Sequence, residues 1–171
     1  WGPFSVVWGL ALVLATVLLR GSERKSESRI FWFGVILGGA YEYVCSAVTE
    51  LLFGTVFWDY SGFKFNLGGR INLLYCFFWG IAAVAWIRYG YPLVAKGMNK
   101  LKTHIRPWMT AALAVFMAVN MGVSALAMAR YDARTSGVEA ATPLAVFLDA
   151  HFDNARMERI YPNAKKVEKA E

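Results

Sequence analysis

The stretch IFWFGVILGGAYEYVCSAVTELLF, residues 30 to 53, decides the fold. A helix needs about 20 mostly apolar residues to cross about 30 Å of hydrocarbon, and this stretch is long enough. It therefore predicts a transmembrane helix. Glu42 and Glu50 interrupt its apolar character. Because an ionised carboxylate is costly in hydrocarbon, both side chains need a partner or a function.

The composition of the whole chain places this helix in a membrane protein of the all-α class. Of 171 residues, 57% are hydrophobic and 18% are charged, whereas soluble domains have about 25% charged residues. The charges cluster between long apolar runs. The predicted fold is a polytopic transmembrane helical bundle, residues 1–129, followed by a tail, residues 130–171. Its four predicted spans are Pro3 to Leu19, Ile30 to about Phe53, Ile71 to Tyr91, and Pro107 to Ala129.

The first predicted span is short and begins almost at residue 1, without an initiator methionine or a charged flank. Either it is tilted in a locally thinned bilayer, or the chain begins inside a longer protein and an upstream helix is missing. A signal peptide is disfavoured, because no basic segment precedes the apolar run.

Basic residues in the connecting segments predict the orientation. Lysine and arginine concentrate in residues 20–29 and 96–106, whereas residues 55–69 contain only Lys64. Cytoplasmic loops of membrane proteins carry an excess of these residues. We therefore expect the loops 20–29 and 92–106 in the cytoplasm, and residues 55–69 and the tail on the opposite face.

The tail is predicted to contain an amphipathic helix. Pro143 suits a first helical turn, and apolar residues follow at spacings of three and four as far as about Ile160. We expect this helix to pack on the outer mouth of the bundle or to lie in the membrane interface.

Every fourth residue of the second span is small or polar, which predicts the side of the helix that faces its neighbours. Positions at this spacing stay broadly on one side of a helix, and small residues allow a second helix to approach closely. The glutamates on this side should point into the bundle. The series is Gly34, Gly38, Glu42, Ser46, Glu50 and Gly54.

The two glutamates lie at different depths. Counted from Ile30, Glu42 is about 18 Å along the helix, near the midplane, and Glu50 is about 30 Å along it, at the outer boundary. Glu50 is predicted to pair with Arg70, at the start of the third span, with Asn66 and Asn72 nearby.

Candidate partners for Glu42 are Asn120, at similar depth in the fourth span, and Tyr41 or Tyr43. With such a partner, Glu42 could be a structural hydrogen-bond node. Alternatively, because intramembrane ionisable groups are functional candidates by default, it could bind and release protons or cations.

The loop FGTVFWDYSGFKFNLGGR, residues 53 to 70, is dense in aromatic residues and glycine. Trp58 and Tyr60 could be interfacial anchors only. A sharper hypothesis is a polar cap that joins Glu50 over the bundle. Gly68 and Gly69 predict a tight turn or a nest of backbone N–H groups that accepts an anion. The cap would consist of Asp59, Ser61, Asn66 and Arg70.

Other chemistry has little support in the sequence. His104 and His151 have no second histidine or cysteine at ligand spacing, so we expect no metal and no cofactor. Cys45 and Cys76 lie in apolar runs and are expected to be small apolar filler. The chain lacks a phosphate-binding loop and a basic face, which argues against its own nucleotide hydrolysis and against nucleic acid as a partner.

Residues 41 to 80, YEYVCSAVTELLFGTVFWDYSGFKFNLGGRINLLYCFFWG, resemble the bacterial CmpB-like family of type IV ABC-transporter permeases. The family has a glutamate and a tyrosine in mid-helix, then E-x-L-F-x-x-x-x-W-D-Y-S and F-N-x-x-G-R-I. The matching residues are Glu42, Tyr43, Glu50, Phe53, Trp58, Asp59, Tyr60, Ser61, Phe65, Asn66, Gly69, Arg70 and Ile71.

Trp1-Gly2-Pro3-Phe4 through Trp8-Gly9 also resembles a family segment, G-P-[FL]-x-x-[IV]-[YW]-G. The resemblance covers about residues 1 to 92. In the family an earlier helix with the pattern G-W-x-x-E precedes this segment, which this chain lacks. The resemblance implies a multi-pass protein of the bacterial cytoplasmic membrane that works with a separate ATPase or another membrane subunit.

We therefore predict transport of a small solute or ion in the lipid bilayer, with Glu42 as the buried binding or proton-coupling group and Arg70 as its outer gate or counter-charge. The alternatives are a membrane enzyme or lipid-headgroup-binding protein that uses Asp59, Glu50 and Arg70, and a non-catalytic subunit of a complex or homo-oligomer. No catalytic residue is predicted. The candidate binding residues are Glu42, Glu50, Asp59, Asn66, Arg70, Tyr43 and Asn120.

Overall fold

The computed structural model describes residues 5–19, 21, 26–102 and 104–167. The bundle and the tail are helical, and the four strands are two residues long each, so the predicted all-α class is confirmed. The helices are α1 Val6–Leu19, α2 Glu27–Phe53, α3 Leu73–Ala85, α4 Tyr91–Leu101, α5 Pro107–Thr135, α6 Pro143–His151 and α7 Asn154–Ile160. The strands are β1 Thr55–Val56, β2 Asn66–Leu67, β3 Ile71–Asn72 and β4 Lys165–Lys166.

Three helical segments of the described residues are long and apolar enough to cross a membrane, fewer than the four predicted spans. They are Glu27–Phe53, Leu73–Leu101 and Pro107–Thr135. The first predicted span corresponds to α1, an apolar helix of 14 residues, whose length of about 21 Å falls short of about 30 Å of hydrocarbon. Residues 1–4 and half of the predicted basic loop 20–29, residues 20 and 22–25, lie outside the described residues.

Glu27 and Gly54 mark the ends of α2. An acidic side chain in the first turn compensates the positive end of the helix dipole, and Glu27 occupies that turn. At the other end Gly54 adopts the left-handed conformation, φ 61°, and its N–H donates to the Glu50 carbonyl at 2.8 Å. A glycine is favoured there because a side chain would be strained at positive φ.

The third span continues ten residues beyond its predicted end at Tyr91. Pro92 has no N–H to donate within the helix. One wide turn, Trp86–Gly90, precedes it, and the Tyr91 N–H donates to the Trp86 carbonyl five residues back. The wide turn connects α3 to α4 as one segment. The predicted loop 92–106 is therefore helical as far as Leu101.

Glycines allow α2 and α3 to pack closely. A Cβ atom added at Gly34 would overlap the Ala83 side chain, and one added at Gly38 would overlap Trp79. The seam predicted from the four-residue spacing is therefore the surface of α2 that contacts α3. Cys76 is buried beside Gly39, and both cysteines have free thiols, in keeping with their predicted filler role.

Replacing Gly38 with alanine should weaken this packing. Overpacking a close interface costs about 1–3 kcal/mol, so we expect a lower thermal midpoint in detergent. Gly122→Ala is a matched control in α5, because no atom lies within 4 Å of a Cβ added there. Equal midpoints for the two variants would contradict the packing of α2 against α3 described above.

The aromatic loop, residues 54–70, connects α2 to β3 and is held at both of its sides. Its β2 strand pairs with β3 around Gly68 and Gly69, whose φ angles are 59° and 68°. The predicted tight turn is therefore confirmed. Its β1 strand pairs antiparallel with β4, from the far end of the tail, with Thr55 opposite Lys166.

The tail folds back onto the end of the bundle at which the aromatic loop lies. The helix predicted from Pro143 to about Ile160 is two helices. Helix α6 ends before Phe152, and the Asp153 side chain caps the start of α7 by accepting from the Arg156 N–H at 2.7 Å. Asp149 pairs with Arg130 and Arg134 of α5. The buried apolar contacts between tail and α5 involve Ala127, Met128, Leu148, Phe152 and Met157.

Candidate functional site

The carboxyl group of Glu42 lies between the aromatic loop and α3. The Tyr60 hydroxyl donates to Glu42 Oε1 at 2.8 Å, and the Trp79 indole N–H donates to Oε2 at 3.2 Å. Both donors are neutral and all three side chains are half-buried. Each carboxyl oxygen of Glu42 therefore has one neutral donor.

The aromatic loop turns inward to bring Tyr60 close to Glu42. The Tyr60 backbone N–H donates to the Gly69 carbonyl at 2.7 Å. Its ring stacks on Tyr75 of α3 with 4.7 Å between the ring centroids, and Phe63 meets both rings edge-on. Burial and the neighbouring Glu42 raise the pKa of Tyr60 above its ordinary value, so Tyr60 remains a neutral donor.

Glu50 has a charged partner, in contrast to Glu42. Arg70 forms an ion pair with Glu50, as predicted, and also donates to the Ser46 hydroxyl at 3.2 Å. The guanidinium lies 5.8 Å from the centre of the Tyr43 ring, within the range of a cation–π contact. Trp58 holds the backbone here by donating to the Arg70 carbonyl at 2.8 Å. Among the described residues, no basic side chain pairs with Glu42.

Of the predicted cap of Asp59, Ser61, Asn66 and Arg70, Arg70 contacts Glu50, whereas the described contacts of the other three residues lie elsewhere. Asp59 accepts from the Ser61 N–H at 2.9 Å and pairs with Lys165 of the tail at 2.9 Å. Asn66 donates to the Phe63 carbonyl at 2.7 Å. These residues shape the aromatic loop, because their partners lie within it or in the tail.

The anion-binding alternative for Gly68 and Gly69 is not supported by the hydrogen bonds. The Gly69 N–H donates to the Asn66 side chain at 2.9 Å, and the Arg70 N–H donates to the Leu67 carbonyl at 3.1 Å. Both groups are therefore already in use within the turn.

The described hydrogen bonds to Glu42 come from Tyr60 and Trp79. Of the suggested partners, Tyr41 donates to the Val7 carbonyl at 2.6 Å, and Tyr43 contacts Arg70. Asn120 is buried in α5, where its backbone carbonyl accepts from the Ser124 hydroxyl at 2.8 Å.

The sequence contained a signal for Trp79 in the register of two antiparallel helices. Glu50 and Arg70 fix the register of two antiparallel helices. A residue eight positions before Glu50 in α2 then lies opposite a residue about eight positions after Arg70, in α3. Glu42 is therefore level with about residue 78. Tyr60 had no comparable signal, because loop conformation determines how deep its hydroxyl reaches.

The ion pair between Asp59 and Lys165 should make closure of the tail acid-sensitive. The hydrogen bond from Lys165, and then those from Ser61, lower the pKa of Asp59 below its ordinary value. A lowered folded-state pKa contributes stability that is present above the ordinary value of about 4 and is lost as the pH falls through the lower folded value. Acid should therefore release the tail from the aromatic loop.

Limited proteolysis between α7 and β4 measures this release. We expect cleavage to increase below about pH 4 in the native chain, and Asp59→Asn to show increased cleavage at neutral pH. The comparison with Lys165→Met separates this pair from general acid unfolding. If acid increases cleavage by the same factor in Lys165→Met as in the native chain, the ion pair is not responsible.

Among the residues that the structure describes, no group of three or more His, Cys, Asp or Glu side chains could hold a metal ion.

A family model described as "Putative ABC-transporter type IV" matches residues 1–125. No curated protein and no solved structure matches the chain. The tail that contacts the aromatic loop lies beyond the matched residues.

Proposed function

Because the chain belongs to the family described as "Putative ABC-transporter type IV", we propose that it is a membrane component for transport of a small solute or ion. In this proposal Glu42 is the group that takes up a proton or a cation, and Arg70 is the outer counter-charge. The chain itself is a multi-pass membrane protein. A separate ATPase would supply the energy, since the sequence has no phosphate-binding loop.

The contrast between the two glutamates is the observation that supports this role. Glu50 is paired with a guanidinium, so its charge is balanced within the protein. Glu42 receives two hydrogen bonds from neutral groups and has no basic partner among the described residues. Inside a membrane an unbalanced carboxylate is costly. A proton or a bound cation would balance it, and exchanging one for the other is the chemistry that a coupled transporter needs.

The hydrogen-bond donors fit a site that must accept more than one charge state. Tyr60 and Trp79 can donate to an ionised carboxylate. Tyr60 lies in the aromatic loop and Trp79 in α3, so the two donors to Glu42 of α2 come from separate segments. Movement of the loop would open a path to Glu42 from its own side of the membrane.

Labelling with dicyclohexylcarbodiimide, an apolar reagent that reacts with protonated carboxyl groups, tests this proposal. We expect the adduct on Glu42 in vesicles, decreasing as the pH rises, and little adduct on Glu50, whose carboxylate is paired with Arg70. Peptide mass spectrometry locates the adduct. Glu42→Gln should remove it, whereas Glu27→Gln, at the other end of α2, should leave it unchanged.

Protection experiments address the cation. If Glu42 binds a monovalent cation, sodium or lithium at constant ionic strength should reduce the labelling, whereas choline should not. Equal labelling of Glu42 and Glu50 at every pH would contradict the distinction between the two sites. Absence of labelling on Glu42 at any pH would remove the support for its role.

A further inference from the structure

Helix α1 is held against the bundle mainly at its two ends. At one end the Tyr41 hydroxyl donates to the Val7 carbonyl at 2.6 Å, and the Trp8 and Trp79 rings lie 5.2 Å apart. Further along, the Trp86 indole donates to the Thr16 hydroxyl at 2.8 Å. Between these contacts, residues of α1, α2 and α3 surround a common space.

A cavity of about 360 Å³ lies in this space. Its size is within the range of small-molecule sites, about 300–1,000 Å³. Leu12 and Ala15 of α1, Leu37 of α2 and Ala83 of α3 are among its lining residues. Leu12 is exposed whereas Ala83 is buried, so the cavity extends from the surface of the bundle into its interior.

The cavity does not result from loose packing in general. Next to it, α2 and α3 approach so closely that a methyl group at Gly34 or Gly38 would overlap its neighbour. The space is confined to the side of these helices that faces α1.

The cavity wall is predominantly apolar. Four of its side chains carry a donor on their rings, and three of these are engaged elsewhere: Trp79 with Glu42, Trp86 with Thr16, and Tyr41 with the Val7 carbonyl. The fourth, Trp8, is exposed. Among the residues that the structure describes, no charged side chain lines the cavity. A polar ligand would lose most of its bonds to water without replacement, so the wall favours an apolar one.

The surroundings of the cavity identify the occupant. Two of the three helices that form it, α2 and α3, belong to membrane-spanning segments, so the exposed edge of the cavity faces lipid chains. We propose that the cavity is a binding site for one acyl chain of a bilayer phospholipid. The chain would lie against the Trp79 ring, whose N–H binds Glu42. This site goes beyond the transport role and does not depend on it.

A photoreactive phospholipid tests the proposal. The full chain is placed in vesicles of phosphatidylethanolamine and phosphatidylglycerol that contain a phospholipid with a diazirine on one acyl chain. After illumination, peptide mass spectrometry compares two residues of α2: Leu37, which lines the cavity, and Ile36, which is exposed and does not. We expect adducts on both.

Ala15→Phe fills the cavity from α1 and should abolish the adduct on Leu37 while the adduct on Ile36 remains. Ala112→Phe, on the exposed surface of α5, is the matched control and should change neither. If Ala15→Phe does not fold, Ala11→Leu is the smaller filling change. A free fatty acid with the same diazirine distinguishes the source of the chain.

Three results would overturn the proposal. The first is labelling of Ile36 without Leu37 in the native chain. The second is labelling of Leu37 that persists in a folded cavity-filling variant. The third is labelling of Leu37 by the free fatty acid only. None of these results would affect carbodiimide labelling of Glu42, so the two proposals can fail separately.

Discussion

Glu42→Gln is expected to abolish proton- or cation-coupled uptake while the protein stays folded. Glutamine is close in size to glutamate and can still accept from Tyr60, but it cannot take up a proton and has no negative charge to balance a cation. Its amide N–H₂ would face the Trp79 N–H, so one hydrogen bond is lost, at about 1–3 kcal/mol. The thermal midpoint should fall moderately and coupled uptake should disappear.

The measurement is the flux of protons or sodium ions in proteoliposomes that contain the chain, with and without the proposed ATPase, under an imposed pH or sodium gradient. Tyr60→Phe and Trp79→Phe each remove one donor and keep the carboxyl group, so they control for a change of structure. We expect both to retain flux, with an altered pH dependence. Full uptake by a folded Glu42→Gln variant would show that Glu42 is a structural residue only.

The second large effect should follow from Arg70→Ala. The change leaves Glu50 without its cation, removes the bond to Ser46 and removes the contact with Tyr43. Leaving a partly buried charged group unpaired costs about 1–3 kcal/mol or more. We expect a larger fall in the thermal midpoint than for Glu42→Gln, because Glu42→Gln leaves no unpaired charge.

Glu50→Gln added to Arg70→Ala isolates the pair. Removing both charges should recover part of the stability, since the penalty of the single variant comes largely from the unpaired carboxylate. If the double variant is as unstable as the sum of the two single variants, Glu50 and Arg70 do not interact energetically. Arg70 would then act through its backbone position, which Trp58 fixes.

The parts of the fold that depend on helical periodicity were predictable from sequence. The pairing of Glu50 with Arg70 followed because both residues flank one short connection, and the glycine seam followed from four-residue spacing. The predicted third span ended at Tyr91, whereas the helical segment continues to Leu101 through a wide turn at Trp86–Gly90. The hydrophobic pattern alone does not reveal such a turn.

The candidate site was less predictable, for a physical reason. The contacts of Glu42 come from Tyr60 and Trp79. The position of Trp79 could have been predicted from the register of two antiparallel helices. The position of Tyr60 depends on the turn at Gly68 and Gly69, which directs this part of the aromatic loop toward Glu42. The sequence predicted the turn, but the depth of the tyrosine hydroxyl depends on tertiary packing against Tyr75.

The pairing of β1 with β4 can form only late in biosynthesis, because the two strands are far apart in the chain. Asp59 and its partner Lys165 are 106 positions apart in the chain, so at about 5–20 residues per second the ribosome needs between about 5 and 20 s to supply the second after the first. Two membrane-spanning segments, Leu73–Leu101 and Pro107–Thr135, must be inserted in that interval. During biosynthesis the aromatic loop therefore has no contact with the tail until Pro107–Thr135 has crossed the bilayer and the tail has emerged beside the loop.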